Sequence, residues 1–161
     1  MKAAVDASPL IYLTKIRMLG VLQQYDEVLV PPEVVAEIDR GLSTGHTESL
    51  ELRRLVERGV LRVARAGRLK GDWGLDAGEL AVLAIALKEK VDEVIVDDRA
   101  AIGVAKYLGL RPVSVPFLLL RERRAGRLTQ EAFEASLRKL LSSGYYLSAE
   151  LHQRLAEAGR K

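Results

Sequence analysis

Short apolar runs alternate with amphipathic stretches over the first 125 residues of the chain. Ala3–Val5, Glu27–Val30, Val60–Ala64, Glu93–Val96 and Val113–Val115 cluster Val, Ile, Leu and Ala between Asp, Gly and Pro punctuation. Runs this short and apolar, without strict alternation, are the signature of strands buried on both faces. Between them the apolar period lengthens to that of helices. Ser8-Pro9 predicts a helix start, with Ser8 as N-cap and Pro9 in the first position. Further helices are predicted over Pro32–Arg40, Thr47–Arg58, Ala77–Lys90 and Arg99–Leu108, the last capped by Gly109. Gly41–His46 and the Gly- and Lys-rich stretch Gly67–Gly74 read as loops, and Pro116 as the stop of the fifth strand. Beyond it only helices are predicted, over Phe117–Arg124, Thr129–Leu141 and Ser148–Glu157.

Strand–helix alternation predicts an α/β fold, a parallel sheet with helices on both faces. In such sheets the connections reverse direction beside the first strand. Ligands bind there, outside the carboxyl ends of the strands. The residues that follow each strand therefore carry the functional expectation, and they are acidic. Asp6 ends the first strand and Asp97-Asp98 end the fourth. If those strands are neighbours, about 4.8 Å apart, their terminal carboxylates converge. Glu37 follows the second strand one helical turn after Glu33 and on the same face, while Asp76 and Glu79 open the apolar helix that leads to the fourth strand.

Each acid also has a plain structural role open to it. Asp76 and Glu79 have capping-box spacing, Asp98 can cap the Arg99 helix, and Glu37 can be solvated. Capping does not, however, ask for acids at the ends of both strands that flank the reversal point. Like charges brought together there need a positive centre, and a hard divalent cation, Mg²⁺ or Mn²⁺, suits an all-oxygen ligand set.

Composition narrows the chemistry further. The chain has 161 residues, one domain's worth, 48% of them hydrophobic and 29% charged. No apolar run is long enough to span a bilayer, and the start of the chain carries no apolar leader, so the expected location is the cytoplasm. With no cysteine there is neither a thiol nucleophile nor a zinc–thiolate site, and two histidines leave little scope for imidazole ligation. No Gly-x-Gly-x-x-Gly follows the first strand, and no Gly-Lys-Ser/Thr phosphate loop is present. The net charge of +3 is uneven: residues 117–161 hold nine basic and five acidic groups, around Arg121, Arg123, Arg124 and Arg127. A basic stripe of that kind is either a solvated helix face or the footprint of an anionic partner.

The ordered motifs resemble those of PIN-domain ribonucleases, the family that includes VapC-type toxins. They are Val5-Asp6-Ala7-Ser8-Pro9-Leu10-Ile11, Val30-Pro31-Pro32-Glu33-Val34-Val35-Ala36-Glu37, Ala77-Gly78-Glu79-Leu80-Ala81, and Val96-Asp97-Asp98-Arg99 followed by Ala105–Leu110. They cover roughly residues 2 to 120 and are most similar to a subgroup with Gly-Glu and Asp-Asp-Arg signatures. The resemblance implies a three-layer α/β/α sandwich around a mostly parallel five-stranded sheet, with residues 1–125 as the nuclease domain and 126–161 as a helical extension packed on it. It implies a Mg²⁺- or Mn²⁺-dependent endoribonuclease whose catalytic and metal-binding acids are Asp6, Glu37, Glu79 and Asp97 or Asp98, with Asp76 an alternative to Glu79. RNA contacts are then expected from Ser8, Lys70, Arg99, Arg123 and Arg124. The expected setting is the toxin of a toxin–antitoxin pair, inhibited by a small antitoxin protein. The alternatives are a housekeeping RNA-processing nuclease and a non-catalytic module that binds nucleic acid or protein. The helices from Thr129 onward, with Tyr145-Tyr146 between two of them, are expected to pack on the core, with partner cover or a homodimer seam as alternatives.

Overall fold

The computed structural model describes residues 1–67 and 69–161, so residue 68 of the predicted Gly67–Gly74 loop lies outside the described residues. Strand β1 (Lys2–Val5) leads to helix α1 (Ala7–Lys15), a 3₁₀ segment (Leu19–Gln24), β2 (Glu27–Val30), α2 (Pro32–Ser43), α3 (Thr47–Glu57) and β3 (Leu61–Val63). The chain continues through α4 (Ala77–Glu89), β4 (Glu93–Ile95), α5 (Arg99–Tyr107), β5 (Pro112–Val113), α6 (Val115–Arg124), α7 (Gln130–Ser142) and α8 (Ala149–Arg160).

The five strands form one parallel sheet in the order β3-β2-β1-β4-β5. Chain order runs outward from β1 to β3, then returns through α4 to the other side of β1. Right-handed crossovers therefore put α1 to α3 on one face and α4 and α5 on the other, an α/β/α arrangement. The direction reverses between β1 and β4, where Ala4 pairs with Val94 and Val5 with Ile95. One more backbone bond, from the Asp6 N–H to the Ile95 carbonyl at 3.1 Å, holds the two strand ends side by side.

The strands are short but buried. Ala3, Ala4, Val5, Leu29, Val30, Val94, Ile95 and Val96 are fully enclosed, and on α4 Val82, Leu83, Ile85 and Ala86 are too. Each such Leu, Ile or Val stabilises the fold by about 1.5–3 kcal/mol relative to exposure. That offsets the ordering of strands too short to persist alone. Helices α6, α7 and α8 pack on one another, α6 also lies against α1, and Leu118, Phe133, Leu137, Leu140 and Leu155 join the common core.

Several boundaries differ from the sequence expectation for local reasons. Asp6, not Ser8, occupies the N-cap of α1: its backbone is extended and its Oδ1 accepts the Ala7 N–H at 2.8 Å. Pro9 then falls at the third helical position, still within the first turn, where a missing N–H leaves nothing unpaired. Pro116 does not stop a strand. β5 ends at Val113 and Pro116 sits in the opening turn of α6, for the same reason. Helix α2 continues through Ser43 into the stretch expected as loop, and the 3₁₀ turn after α1 has no counterpart in the predicted pattern.

Candidate active site

Four acids meet at the reversal point, three of them set there by helix starts and Glu37 from the middle of α2. Asp6 is positioned by the cap of α1 and is 7% exposed. Glu37 lies on α2, and α2 packs against α4 across the C-terminal edge of the sheet. Asp76 and Glu79 form a closed capping box at the start of α4: Asp76 Oδ1 accepts the Glu79 N–H at 2.8 Å, and Glu79 Oε2 accepts the Asp76 N–H at 3.0 Å. The capping expectation for this pair is thus met, and the charges of both carboxylates reach Asp6.

Gly78 is the hub. A Cβ there would stand 3.0 Å from Glu37 Oε1, 3.4 Å from Asp76 Oδ1 and 3.7 Å from Asp6 Oδ1. Oxygens from three separate elements therefore crowd one buried glycine, and any side chain would intrude among them. This explains why glycine precedes Glu79 in an apolar helix where alanine would be the better helix former.

The electrostatics follow from that crowding. Burial pushes the Asp6 carboxyl up to about 7; the Ala7 N–H opposes the shift, and the charges of Glu37, Glu79 and Asp76 add to it. Glu37 is raised by burial and by Asp76, with Arg40 acting against them. Glu79 is raised by burial and then by Asp76, Asp98 and Glu37, against its capping bond to the Asp76 N–H. Among the described residues none of the four forms an ion pair, so no side-chain cation is bonded to the group, although the charge of Arg40 reaches Glu37.

The two acids after β4 divide between different tasks. Asp98 caps α5, its Oδ2 accepting the Ala101 N–H at 2.9 Å, and its charge reaches Glu79. Asp97 is turned the other way. Its Oδ1 accepts the Val115 N–H at 3.0 Å and the Tyr145 hydroxyl at 2.6 Å, while its Oδ2 is buried without a hydrogen-bond partner. Burial raises the Asp97 carboxyl, and the two bonds act against the rise.

A divalent cation fits this donor set. The ligands are all carboxylate oxygens, the central one is raised to about 7 by its burial and, after that, by the charges of its acidic neighbours, and a dication removes that penalty. Asp6, Glu37 and Glu79 would hold it, with Asp98 at the margin and Asp76 occupied as a cap. Among the described residues no three His, Asp or Glu side chains stand close enough to hold an ion as they are, so ligation requires the flexible Glu37 and Glu79 side chains to turn inward.

The expected RNA contacts separate into two places. Ser8 and Arg99 line a groove of about 740 Å³ that also contains Asp97 and Asp98. Lys70 is exposed on the loop before α4, where its carbonyl accepts the Trp73 indole N–H at 2.9 Å. Arg123 and Arg124 lie elsewhere, away from the carboxylates. Helix α6 starts beside the end of β4 and runs the length of the sheet, so that Arg121 already reaches Glu93 at the start of β4. Arg123 is tied to Gln130 Oε1 at 3.1 Å, Arg127 to Glu122, and Arg124 stands exposed at the far end. The basic stripe therefore sits at the opposite edge of the sheet from the carboxylates.

Tyr145 is the site residue that sequence reasoning missed. The sequence reading gives this segment core packing, with partner cover or a homodimer seam as alternatives. Its signal is weak: two adjacent tyrosines after Gly144 in the short connection between helices.

Among the described residues no helix is long and apolar enough to cross a membrane. No functionally curated protein matches the sequence. The chain is similar in structure to a PilT N-terminus domain protein from the hyperthermophilic archaeon Sulfolobus solfataricus P2, with a TM-score of 0.52 and 22% identity, over 73% of this chain and 90% of that one. It is also similar to a domain of a functionally unknown protein from Methanocaldococcus jannaschii DSM 2661, with a TM-score of 0.48 and 18% identity, over 70% of this chain and 89% of that one. The first likeness supports the fold. The family DUF3368, described as a PIN domain, matches residues 2–160. A match spanning nearly every residue from β1 to the end of α8 settles membership: the chain belongs to the PIN-domain family, whose members are generally nucleases that bind divalent metal ions.

Proposed function

We propose that this protein is a Mg²⁺- or Mn²⁺-dependent endoribonuclease that hydrolyses RNA phosphodiester bonds at the Asp6–Glu37–Glu79 cluster. The observation that carries the reading is the carboxylate oxygens gathered around Gly78, with Asp6 pushed up to about 7 and no ion pair to any of them among the described residues. When bound, a divalent ion supplies charge neutralisation at the phosphate and lowers the pKa of water.

The chain's own residues set the rest. Asp6 is fixed by its cap and provides the rigid ligand, whereas Glu37 and Glu79 adapt from helices that meet over it. Glu79 is restrained by the capping box, so its movement is coupled to the start of α4. Asp98 adds negative charge that strengthens cation attraction. The sequence contains no cysteine, and among the hydrogen bonds of the described residues no serine or histidine stands in a nucleophile–base pair, so the nucleophile in this reading is water rather than a side chain. Attack by water with the ribose 3′ oxygen as the leaving group gives a 5′-phosphate and a 3′-hydroxyl, the polarity that the motif resemblance implies.

The test is cleavage of a single-stranded RNA by the wild type and Asp6→Asn, with Mn²⁺ and with chelator. The expected result is metal-dependent cutting by the wild type alone. Equal cutting by both proteins, or cutting unaffected by chelator, overturns the assignment. The biological setting we propose, a toxin restrained by a small antitoxin, rests on the motif resemblance. It is tested by whether the product of an adjoining small gene binds the protein and stops cleavage.

A further inference from the structure

The carboxylate cluster accounts for metal and phosphate chemistry but leaves unexplained the groove beside it. Four of the chain's eight aromatic residues line this groove: Tyr12, Phe117, Tyr145 and Tyr146. The first and third are committed to structure. Their rings meet edge-on at 5.1 Å, and the Tyr145 hydroxyl donates to Asp97. Tyr146 and Phe117 are committed to nothing comparable. Tyr146 is 84% exposed and Phe117 49%, although both belong to the wall of a groove and come from different elements, the α7–α8 connection and the first turn of α6. Exposed rings facing one recess, when the fold could have used polar residues, fit a flat apolar ligand.

The polar lining states which kind. Ser8, Ser114 and Ser148 bring hydroxyls, and Arg99 is exposed and in no ion pair among the described residues. A planar group with hydrogen-bonding edges and an anionic neighbour satisfies rings, hydroxyls and guanidinium together, and an unstacked nucleobase with its phosphate is such a group. Position agrees. Asp97 and Asp98 are part of the lining and the charge of Asp98 reaches Glu79, so a base held here belongs to a nucleotide near the phosphate at the acid cluster.

We propose that this groove is a nucleobase seat in which Tyr146 and Phe117 stack on one base of the substrate, and Arg99 meets its phosphate. The inference rests on the endoribonuclease reading and adds to it a fixed point of contact made by the C-terminal connection. Stacking tolerates every base, so the seat selects for an unpaired nucleotide rather than for a sequence.

The experiment compares wild type, Tyr146→Ala, Tyr146→Phe and Phe117→Ala for binding and cleavage of a short single-stranded RNA, intact or with one abasic site moved through each position. Loss of one stacked base weakens binding by roughly 5- to 150-fold. Tyr146→Ala is expected to bind intact RNA more weakly within that range, and Tyr146→Phe to restore it. One abasic position is expected to weaken binding to the wild type while making no difference to Tyr146→Ala. Circular dichroism and the unfolding midpoint of Tyr146→Ala should match the wild type, because the ring is exposed. Wild-type binding by both alanine variants, or an abasic penalty equal at all positions and in all variants, overturns the seat while leaving the nuclease assignment intact. A wild type that neither binds nor cleaves RNA overturns both.

Discussion

The two ends of the sheet treat buried carboxylates in opposite ways. At the start of β4, Glu93 is 2% exposed and is fully matched. Arg121 donates to both of its oxygens at 2.9 Å, and the Tyr25 hydroxyl donates to one of them. Burial alone would raise this carboxyl, but those hydrogen bonds hold it below the ordinary range. At the other end Asp6 is nearly as buried, has one backbone N–H, and faces three more acids. It is raised instead. Where a buried carboxylate serves the fold, the fold supplies its partner. Where it serves a ligand, the partner is left out, and the native state is less stable for it.

The sharpest break in that comparison is functional. Asp6→Asn removes a charge that the fold does not need and the proposed chemistry does. RNA cleavage is expected to fall by more than about 100-fold, beyond the scale of losing a supporting contact to a metal ligand. A steady-state rate measured in Mn²⁺ checks it, and a loss under about tenfold would place Asp6 outside the reacting centre.

At the matched end, Arg121→Ala leaves Glu93 buried with the Tyr25 hydroxyl and the more distant, exposed Arg111 at 3.9 Å. Breaking a buried pair from one side costs about 3–5 kcal/mol, read by urea unfolding, with cleavage per folded molecule unchanged. A destabilisation below about 1 kcal/mol would mean that solvent reaches Glu93 and that the two ends do not differ as argued.

The same Asp6→Asn variant is expected to gain stability in metal-free buffer. Because the native carboxyl titrates near 7 and the ordinary one near 3.8, the folded state holds the extra proton between those values. Its contribution is therefore present at low pH and lost as pH rises through about 7, at most about 4 kcal/mol. The variant should exceed the wild type above pH 7 and converge with it near pH 4. For Glu93, whose carboxyl is lowered, the sign reverses: its contribution is lost as pH falls. Unfolding curves of Asp6→Asn and Glu93→Gln should thus both converge with the wild type at low pH and diverge from it as pH rises, Asp6→Asn towards higher stability and Glu93→Gln towards lower. A parallel offset at all pH values would sink this account.

The smallest expected effect is at the hub. In Gly78→Ala the added Cβ meets the flexible end of Glu37 at 3.0 Å, so the helix should form while Glu37 is displaced. Mn²⁺ affinity, measured as the ion's effect on the unfolding midpoint, is expected to weaken by about 10-fold or more. Unchanged affinity would exclude Glu37 as a ligand.

The acids at the site were legible in the sequence because strand ends and helix starts are local events. Asp6 and Asp98 sit where an apolar run stops and a helical period begins, Asp76 sits where the Gly-rich loop gives way to one, and Asp76-x-x-Glu79 announces its own capping box. What was misjudged was pairing at a distance. Arg121 and Arg127 look like a free cationic stripe, yet Glu93 and Glu122 neutralise them. Tyr145 looks like packing, yet it reaches Asp97 across 48 positions of chain. Ser8 looks like the better cap, yet the bond from the Asp6 N–H to Ile95 ends β1 there and leaves Asp6 to open the helix.

The sequence by itself therefore determined the parallel α/β sheet, its reversal point and the acids delivered to it. Hydrophobic period and turn chemistry act over a few residues and need no knowledge of partners. Only the tertiary structure decided which charges are compensated. The different hydrogen-bond partners of Asp97 and Asp98 follow from where α5, α6 and the α7–α8 connection lie, and those of the arginines from the direction in which α6 runs. A charge buried beside a partner and a charge buried beside its like are the same letter in the sequence. Their energies differ because the interaction depends on separation in space and on the exclusion of water, and folding sets both.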